Sequence, residues 1–461
     1  MFFERIETPG IAHGAYVFGD GGQAAVVDPR RDVDEYLRVA RDNGARIAWV
    51  IETHRQEDFV LGSSELARIT GAKIVNGTHE LFGHGDVRLG DGDELAVAGL
   101  RLRALHTPGH TPESMSYALF TSDAPEHAWA VLTGDALFVG QTGRTDLPDP
   151  KRTRENAELL YDAVHAKLLP LGDQTLLLPA HGSGSVCGAK ISDRDWSTIG
   201  LERRYNPVFV KSRAEFAASK ADERLPRPPY FRVMEQVNLR GGIPLARHPR
   251  EVPLVPPKEL ERAMGRATVI DARTPEAFAG GHLPGSYGVW LGGLPVFGGW
   301  IAQPSTPVFL VLASTGELER AVLSLARIGI DGVEGVLAGG FEAWRDAGLP
   351  IERSGTISPR EVERDLGRVR VLDVRDDREF AVEGHLPGAS HLYVGHLEEG
   401  LRDLRPPLAP SERVVVTCSV GNRASLAASI LRRRGFQRVE NLLGGMTAWK
   451  KLELPLERRE P

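Results

Sequence analysis

The 461-residue chain is too long for one hydrophobic core, so about two to four domains are expected. Charged residues make up 26% and hydrophobic residues 41%, the balance of an ordinary globular protein, and the net charge of -6 mixes both signs along the chain, leaving no basic footprint for nucleic acid. No apolar stretch is long enough to span a bilayer, and two cysteines, Cys187 and Cys418, are too few for a secreted disulfide scaffold.

The chain begins MFFERIETPG, without a basic segment leading into an apolar run, so no signal peptide is expected. A reducing cytoplasm with both thiols free is the expected setting. The first ~245 residues read as short apolar strands (AAVVDP, IAWVIETH, LRLRALHT, HAWAVLTGD, TLLLPAHG) interleaved with helices such as Ser63–Thr70 and Arg154–Leu168. Four motifs stand at the ends of these strands: Thr53-His54-Arg55-Gln56-Glu57-Asp58, Thr107-Pro108-Gly109-His110-Thr111, Thr133-Gly134-Asp135 and Pro179-Ala180-His181-Gly182. Side chains just beyond strand ends can converge in one cleft. One such histidine is more often a core or surface residue; four motifs in this order point to a metal. His79, His84 and His106 fall outside the motifs and are read as structural.

Proline and arginine crowd the next stretch, RLPRPPYFRV and then ARHPREVPLVPP, which disfavours regular structure and suits a boundary near residue 245. Beyond it the sequence repeats itself. Asp271-Ala272-Arg273 precedes Gly281-His282-Leu283-Pro284-Gly285, and Asp373-Val374-Arg375 precedes Gly384-His385-Leu386-Pro387-Gly388. Each copy continues into an apolar strand, Val308–Leu312 or Val414–Thr417, and ends alike, LAGGFEAWRDAGLPI and LLGGMTAWKKLELPL. Segments 246–355 and 356–461 are therefore read as two copies of one α/β domain, with a parallel sheet and helices such as Ala424–Arg434 on its faces.

In the second copy a strand ends at Cys418 and the loop Ser419-Val420-Gly421-Asn422-Arg423 leads into a helix. Backbone N–H groups and a helix N-terminus beside the sulfur, with Arg423, favour thiolate and cradle an anionic sulfur group. The first copy has Ala313 where Cys418 lies, and Glu317 and Glu319 in the loop, so it has no nucleophile. The plainer reading of Cys418 alone is a buried structural thiol.

The order of the four N-terminal motifs resembles the metallo-β-lactamase superfamily, whose first motif is usually His-x-His-x-Asp-His. Gln56 and Phe59 replace two of those histidines here. That weakens a three-histidine zinc site and removes a ligand from the second metal position, leaving His54, His110 and Asp135: two histidines and a carboxylate, the facial triad of non-haem Fe(II) oxygenases. This resembles the persulfide dioxygenases, relatives of glyoxalase II and of the ethylmalonic encephalopathy protein, which oxidise a thiol persulfide with O2 to sulfite and free thiol. The resemblance implies one Fe(II) per chain on His54, His110 and Asp135, with Asp58 and His181 orienting ligands or waters. Gly109-His110-Thr111-Pro112-Glu113-Ser114 and the loop Gly143-Arg144-Thr145-Asp146 support that branch; Arg144 is read either as a group positioning the site or as half of a structural salt bridge. Cys187, in Gly182-Ser183-Gly184-Ser185-Val186-Cys187-Gly188, resembles a cysteine in fusions of such enzymes with tandem rhodanese domains. It takes either a sulfur-relay or substrate-binding role, or that of a buried inert thiol.

The Cys418–Arg423 loop with its flanking motifs closely resembles rhodanese, which implies a persulfide carried on Cys418. A related loop in dual-specificity phosphatases is one residue longer, which favours sulfur over phosphate. The expected architecture is α/β: a metallo-β-lactamase αββα sandwich over 1–245, an inactive rhodanese-like domain over 246–355 and an active one over 356–461. The expected function is persulfide oxidation to sulfite coupled to sulfur transfer that forms or consumes thiosulfate. Expected partners are a small thiol persulfide (glutathione, coenzyme A or another carrier), O2, sulfite and thiosulfate, with no nucleic acid or membrane, in a homo-dimer or tetramer. The alternatives are a zinc thioester hydrolase fused to rhodanese, and a sulfur-binding scaffold.

Overall fold

The structure, a computed structural model, describes residues 1–458. It forms two compact units, residues 1–245 with 327–329, and residues 246–326 with 330 onward.

In the first unit two six-stranded sheets lie face to face. One runs in the order Phe2–Thr8, His13–Asp20, Gln23–Val27, Arg46–Ile51, Lys73–Gly77, Val87–Leu89; the other runs Ser197–Thr198, Leu176–Pro179, Ala130–Gly134, Met115–Phe120, Leu100–His106, Glu94–Val97. Alternation along each strand decides which side chains enter the middle layer. Tyr117 and Leu119 point inward with Tyr16, Phe18 and Leu132, whereas Ala118 and Val131 point outward under the helix Thr153–Ala163. The other sheet is covered on its outer face by Tyr36 and Val39 of Asp34–Asp42 and Leu66 of Ser63–Thr70. The layers are helix, sheet, sheet, helix. The helix expected over Arg154–Leu168 is an α-helix only to Ala163 and continues as a π-turn over Val164–Leu168.

The proline-rich connection is less irregular than its composition suggests. Pro228 and Pro229 end the extended stretch, and Phe231–Asn238 folds as a helix whose Phe231, Met234 and Asn238 are buried.

The second unit holds two five-stranded, all-parallel sheets of matching order: Leu254–Val255, Val333–Leu337, Val308–Val311, Thr268–Asp271, Tyr287–Gly288, and Gly355–Ile357, Arg438–Leu442, Arg413–Thr417, Arg370–Asp373, Ser390–His391. The repeat extends to register, since Asp271 pairs with Val311 as Asp373 pairs with Thr417. The shared Asp-x-Arg and Gly-His-Leu-Pro motifs turn out to be braces. Arg375 ion-pairs with Asp373 at 2.7 Å and donates to Gly384 O, and His385 stacks on Phe380 at 3.8 Å; Arg273, Asp271, Gly281, His282 and Phe278 do the same in the first copy. No helix among the described residues is long and apolar enough to cross a membrane.

Candidate metal centre and thiol loop

His54 follows the strand Arg46–Ile51, His110 follows Leu100–His106, and Asp135 follows Ala130–Gly134, so three strand ends deliver them to one buried point. Asp135 Oδ2 lies 3.3 Å from His110 Nε2 and 4.0 Å from His54 Nε2. The ring orientations are fixed from behind. His110 Nδ1 lies 2.8 Å from Arg144 O, which can only accept, so Nδ1 carries the proton and Nε2 presents its lone pair forward. His54 Nδ1 lies 3.0 Å from Thr53 Oγ1, and that hydroxyl donates to Asp28 Oδ2 at 2.7 Å, so it accepts from the ring. The backbone crowds in equally tightly: a Cβ on Gly143 would sit 2.2 Å from Asp135 O and 2.9 Å from His110 Nδ1.

Glu57, which the motif reading passed over, is the fourth member of this cluster. It is buried, with Oε2 3.4 Å from His110 Nε2 and 3.6 Å from His54 Nε2. Gln56 is not: its amide nitrogen lies 3.3 Å from His54 Nδ1, the ring atom facing away from the cluster. Phe59 is wholly buried and packs on His13 with ring centroids 4.1 Å apart. Burial works against a charge on His54, yet Glu57 and Asp135 outweigh it and push its pKa up to about 10; His110 moves the same way for the same reason. The negative field that raises both imidazoles suits a cation equally well.

His54 Nε2, His110 Nε2, Glu57 Oε2 and both Asp135 oxygens are buried without hydrogen-bond partners. Leaving so many polar atoms unsatisfied costs about 1–3 kcal/mol each, so the donor set fits a metal ion at this point.

A second group adjoins the first. Asp58, His181 and Cys187 bring ligand atoms within 4.8 Å of one another. His181 Nε2 is 3.6 Å from Asp58 Oδ1 and 3.8 Å from Asp135 Oδ1. Burial, then the Asp58, Asp135 and Glu57 charges, push the Cys187 thiol pKa well up, so Cys187 is a thiol and not a thiolate when no cation is nearby. Arg144 does not face either group. Its guanidinium pairs both ways with Asp146 at 2.7 Å and donates to the carbonyls of Val186, Leu225 and Pro226, while its backbone N–H donates to Cys187 O at 2.9 Å. The Asp146 salt bridge is present, and it is the Arg144 main chain, not its guanidinium, that meets His110 Nδ1 and Cys187 O. His106 Nε2 against Pro112 O and His84 Nε2 against Glu52 are structural contacts.

Asn238, at the end of the helix after the prolines, reaches back across the fold. Its amide donates to Gln56 O at 2.7 Å and Phe59 O at 2.8 Å, and its oxygen accepts from Leu61 N at 2.9 Å, so it shapes the loop that carries Glu57 and Asp58.

The thiol loop stands in the second unit. Cys418 is buried at the end of Arg413–Thr417, and Gly421 N donates to its Sγ at 3.1 Å. Gly421, at φ +106°, opens the helix Asn422–Arg433, whose N-terminus lies beside the sulfur. Val420 points outward at 53% exposure. Asn441 Nδ2 holds Gly421 O at 2.9 Å, and Gly445 passes so close that a Cβ would lie 2.2 Å from Cys418 O, which explains the paired glycines of LLGGMTAW.

Arg423 is held in a fork by Glu379 at 2.6 and 2.7 Å and also donates to Ser419 Oγ at 2.7 Å. Glu379 was not singled out in the sequence; burial raises its pKa, but the Arg423 ion pair outweighs this and holds it at about 2. In the first copy Ala313 N, the counterpart of Cys418 N, donates to Glu317 Oε2 at 3.1 Å, so a carboxylate of the chain enters the loop, and Gly316 N, the counterpart of Gly421 N, donates to Ser314 Oγ at 3.1 Å.

The family model for the metallo-beta-lactamase superfamily matches residues 10–181, and that for the rhodanese-like domain matches 256–347 and 358–452. The chain is 27% identical over 242 residues to the mitochondrial persulfide dioxygenase ETHE1 of Homo sapiens, covering 50% of this chain and 84% of that one. It is 32% identical over 284 residues to a probable metallo-hydrolase of Burkholderia pseudomallei, covering 52% of this chain and 93% of that one. Among solved structures, a metallo-beta-lactamase from Staphylococcus aureus is 26% identical with a TM-score of 0.65, covering 73% of this chain and 99% of that one. The chain belongs to the metallo-beta-lactamase superfamily, in a form that carries two rhodanese-like domains after the metal domain.

Proposed function

We propose that the chain is an Fe(II)-dependent persulfide dioxygenase joined to a rhodanese sulfurtransferase, divided as 1–245, an inactive repeat over 246–355, and an active repeat over 356–461. The observation that carries the metal half is the convergence of His54 Nε2, His110 Nε2 and Asp135 Oδ2, all buried and unpartnered, with Gln56 turned to the far side of His54. Two histidines and a carboxylate leave open positions, as oxygen chemistry at iron needs. A zinc hydrolase would want the third histidine that Gln56 and Phe59 do not provide. Fe(II) held there supplies the activation of O2; the rest is the work of the chain. Thr53 and the Arg144 carbonyl aim the imidazoles, and the buried surroundings exclude bulk water. The overall reaction balances as one persulfide, one O2 and one water giving one thiol, one sulfite and two protons.

In the rhodanese half, Cys418 carries the outer sulfur as a persulfide. Sulfite attacks that sulfur, the S–S bond breaks, Cys418 leaves as thiolate and thiosulfate is formed; the reverse consumes thiosulfate. Gly421 N and the helix N-terminus stabilise the thiolate, and Arg423, aimed by Glu379, faces the incoming anion. Fusion in one chain raises the effective concentration of the shared sulfur compounds. The inactive repeat acts as a support: its Trp300 packs on Tyr393 and His396, and Tyr287 donates to Glu398 at 2.9 Å, beside the active copy's loop region.

Cys187 serves as a substrate-binding or relay thiol in this reading. Glutathione persulfide or a similar small persulfide is the substrate class, in a cytoplasmic, homo-oligomeric protein. Oxygen uptake by the iron-loaded chain on addition of glutathione persulfide tests the proposal.

A further inference from the structure

We propose that Glu379 sets the charge selectivity of the sulfur loop: by cancelling Arg423 it makes the Cys418 pocket a poor site for dianions, so its preferred donor is singly charged and thiosulfate is a product it releases. Arg423 is the only charged residue of the loop Ser419-Val420-Gly421-Asn422-Arg423. Its two terminal nitrogens meet the two oxygens of Glu379 at 2.6 and 2.7 Å, and Nη2 spends its second N–H on Ser419 Oγ at 2.7 Å. The Ser419 hydroxyl in turn donates to Glu379 at 2.7 Å. Burial works to neutralise Glu379, but Arg423 outweighs it and holds its pKa at about 2, so both charges are present at neutral pH. Asp376, which caps the helix Asp377–Ala381 that carries Glu379, and Tyr393, whose phenol burial pushes up to about 12, also face the pair and add no positive charge.

The two repeats separate this pair from the needs of the fold. The Asp-x-Arg and Gly-His-Leu-Pro braces are kept in both copies. The Glu379–Arg423 pair is not. With Phe278 matched to Phe380 and Gly316 to Gly421, its counterparts are Ala277 and Leu318. The pair is kept only in the copy that has a thiol. An unopposed guanidinium would draw a dianion most strongly, since Coulomb attraction scales with the product of the charges. A guanidinium locked to a carboxylate presents a dipole instead, and beside a thiolate or persulfide the pocket as a whole is negative. Sulfite can enter as singly charged bisulfite. Its sulfur bonds to the outer sulfur of the Cys418 persulfide, and the S–S bond breaks with its electron pair left on Cys418 as thiolate. Thiosulfate departs and the proton goes to solvent.

The inference rests on the reading of Cys418 as the sulfur carrier. Its test uses the full chain and two donors of similar size, thiosulfate with two negative charges and methanethiosulfonate with one. Each is assayed for thiocyanate formation with cyanide as acceptor. The expected kcat/KM of the unsubstituted chain favours methanethiosulfonate by about tenfold or more. Glu379→Gln shifts that ratio by about tenfold or more towards thiosulfate, chiefly through a lower KM for thiosulfate. Both donors meet the same sample, so loss of folded protein cancels from the ratio, and the comparison in the unsubstituted chain stands even if the variant does not fold. A preference for thiosulfate in the unsubstituted chain, or a ratio unmoved by Glu379→Gln, would overturn the inference while leaving Cys418 as the carrier. Transfer from neither donor, or transfer that survives Cys418→Ser, would overturn the reading of Cys418 and the inference with it.

Discussion

Glu57 Oε2 lies 3.4 Å from His110 Nε2, within reach of both imidazoles of the triad, and no hydrogen bond holds it there. A second carboxylate at that point adds negative charge to the site and competes for a coordination position. Glu57→Gln keeps the shape and removes the charge, so it is expected to lower iron affinity by about 10–100-fold, the scale seen when groups that support a metal are changed. Iron retained after dialysis against a graded chelator series measures this; unchanged retention would mean that Glu57 is a bystander.

Asn238 fastens the loop bearing Glu57 and Asp58 through three hydrogen bonds to main chain. Asn238→Ala leaves Leu61 N and two carbonyls without partners in a buried place. The expected cost is about 2–4 kcal/mol, from about 1–3 kcal/mol per unsatisfied group with some relaxation. Thermal unfolding should show a lowered transition for the metal domain, and iron retention should fall with it.

These two residues mark where legibility in the sequence ended. The triad and the Cys418 loop could be read because each lies at a strand end, where position along the chain fixes direction. Glu57 lies at a variable position of its motif, and its direction is set by a loop without periodicity. Asn238 lies 182 residues from Gln56, in a stretch whose prolines suggested a linker, and only the folded chain shows its helix turning back. His13, whose ring lies 5.5 Å from that of His181, carried no motif at all. The repeated Asp-x-Arg and Gly-His-Leu-Pro motifs were visible, but their function as braces follows from the ion pairs and ring stacks they make.

The first rhodanese-like copy lacks more than a thiol. Glu317 fills its loop by accepting from Ala313 N. Ala313→Cys alone is therefore expected to give no sulfur transfer in a Cys418→Ser background, since the carboxylate repels both thiolate and sulfite. A thiosulfate:cyanide assay checks it, and activity recovered by Ala313→Cys alone would show that Glu317 is no barrier.

The Glu379–Arg423 pair predicts a pH dependence. Glu379 ionises at about 2 in the folded chain against an ordinary 4.5, because the ion pair outweighs burial. A lowered carboxylate pKa stabilises the fold fully above the ordinary value, and that contribution fades as pH falls from about 4.5 towards 2. Glu379→Gln should cost about 3 kcal/mol at neutral pH, the low end for breaking a buried pair. It should also flatten the fall in melting temperature of the rhodanese-like unit through that acid window. An equally steep fall in the variant would place the acid sensitivity elsewhere.

The most direct test of the central claim is an oxygen-electrode measurement on the full chain loaded anaerobically with one equivalent of Fe(II). On addition of glutathione persulfide, the account predicts uptake of one O2 per sulfite formed, with loss of uptake in His110→Ala. No O2 uptake by protein of verified iron content, with other small thiol persulfides also supplied, would contradict it.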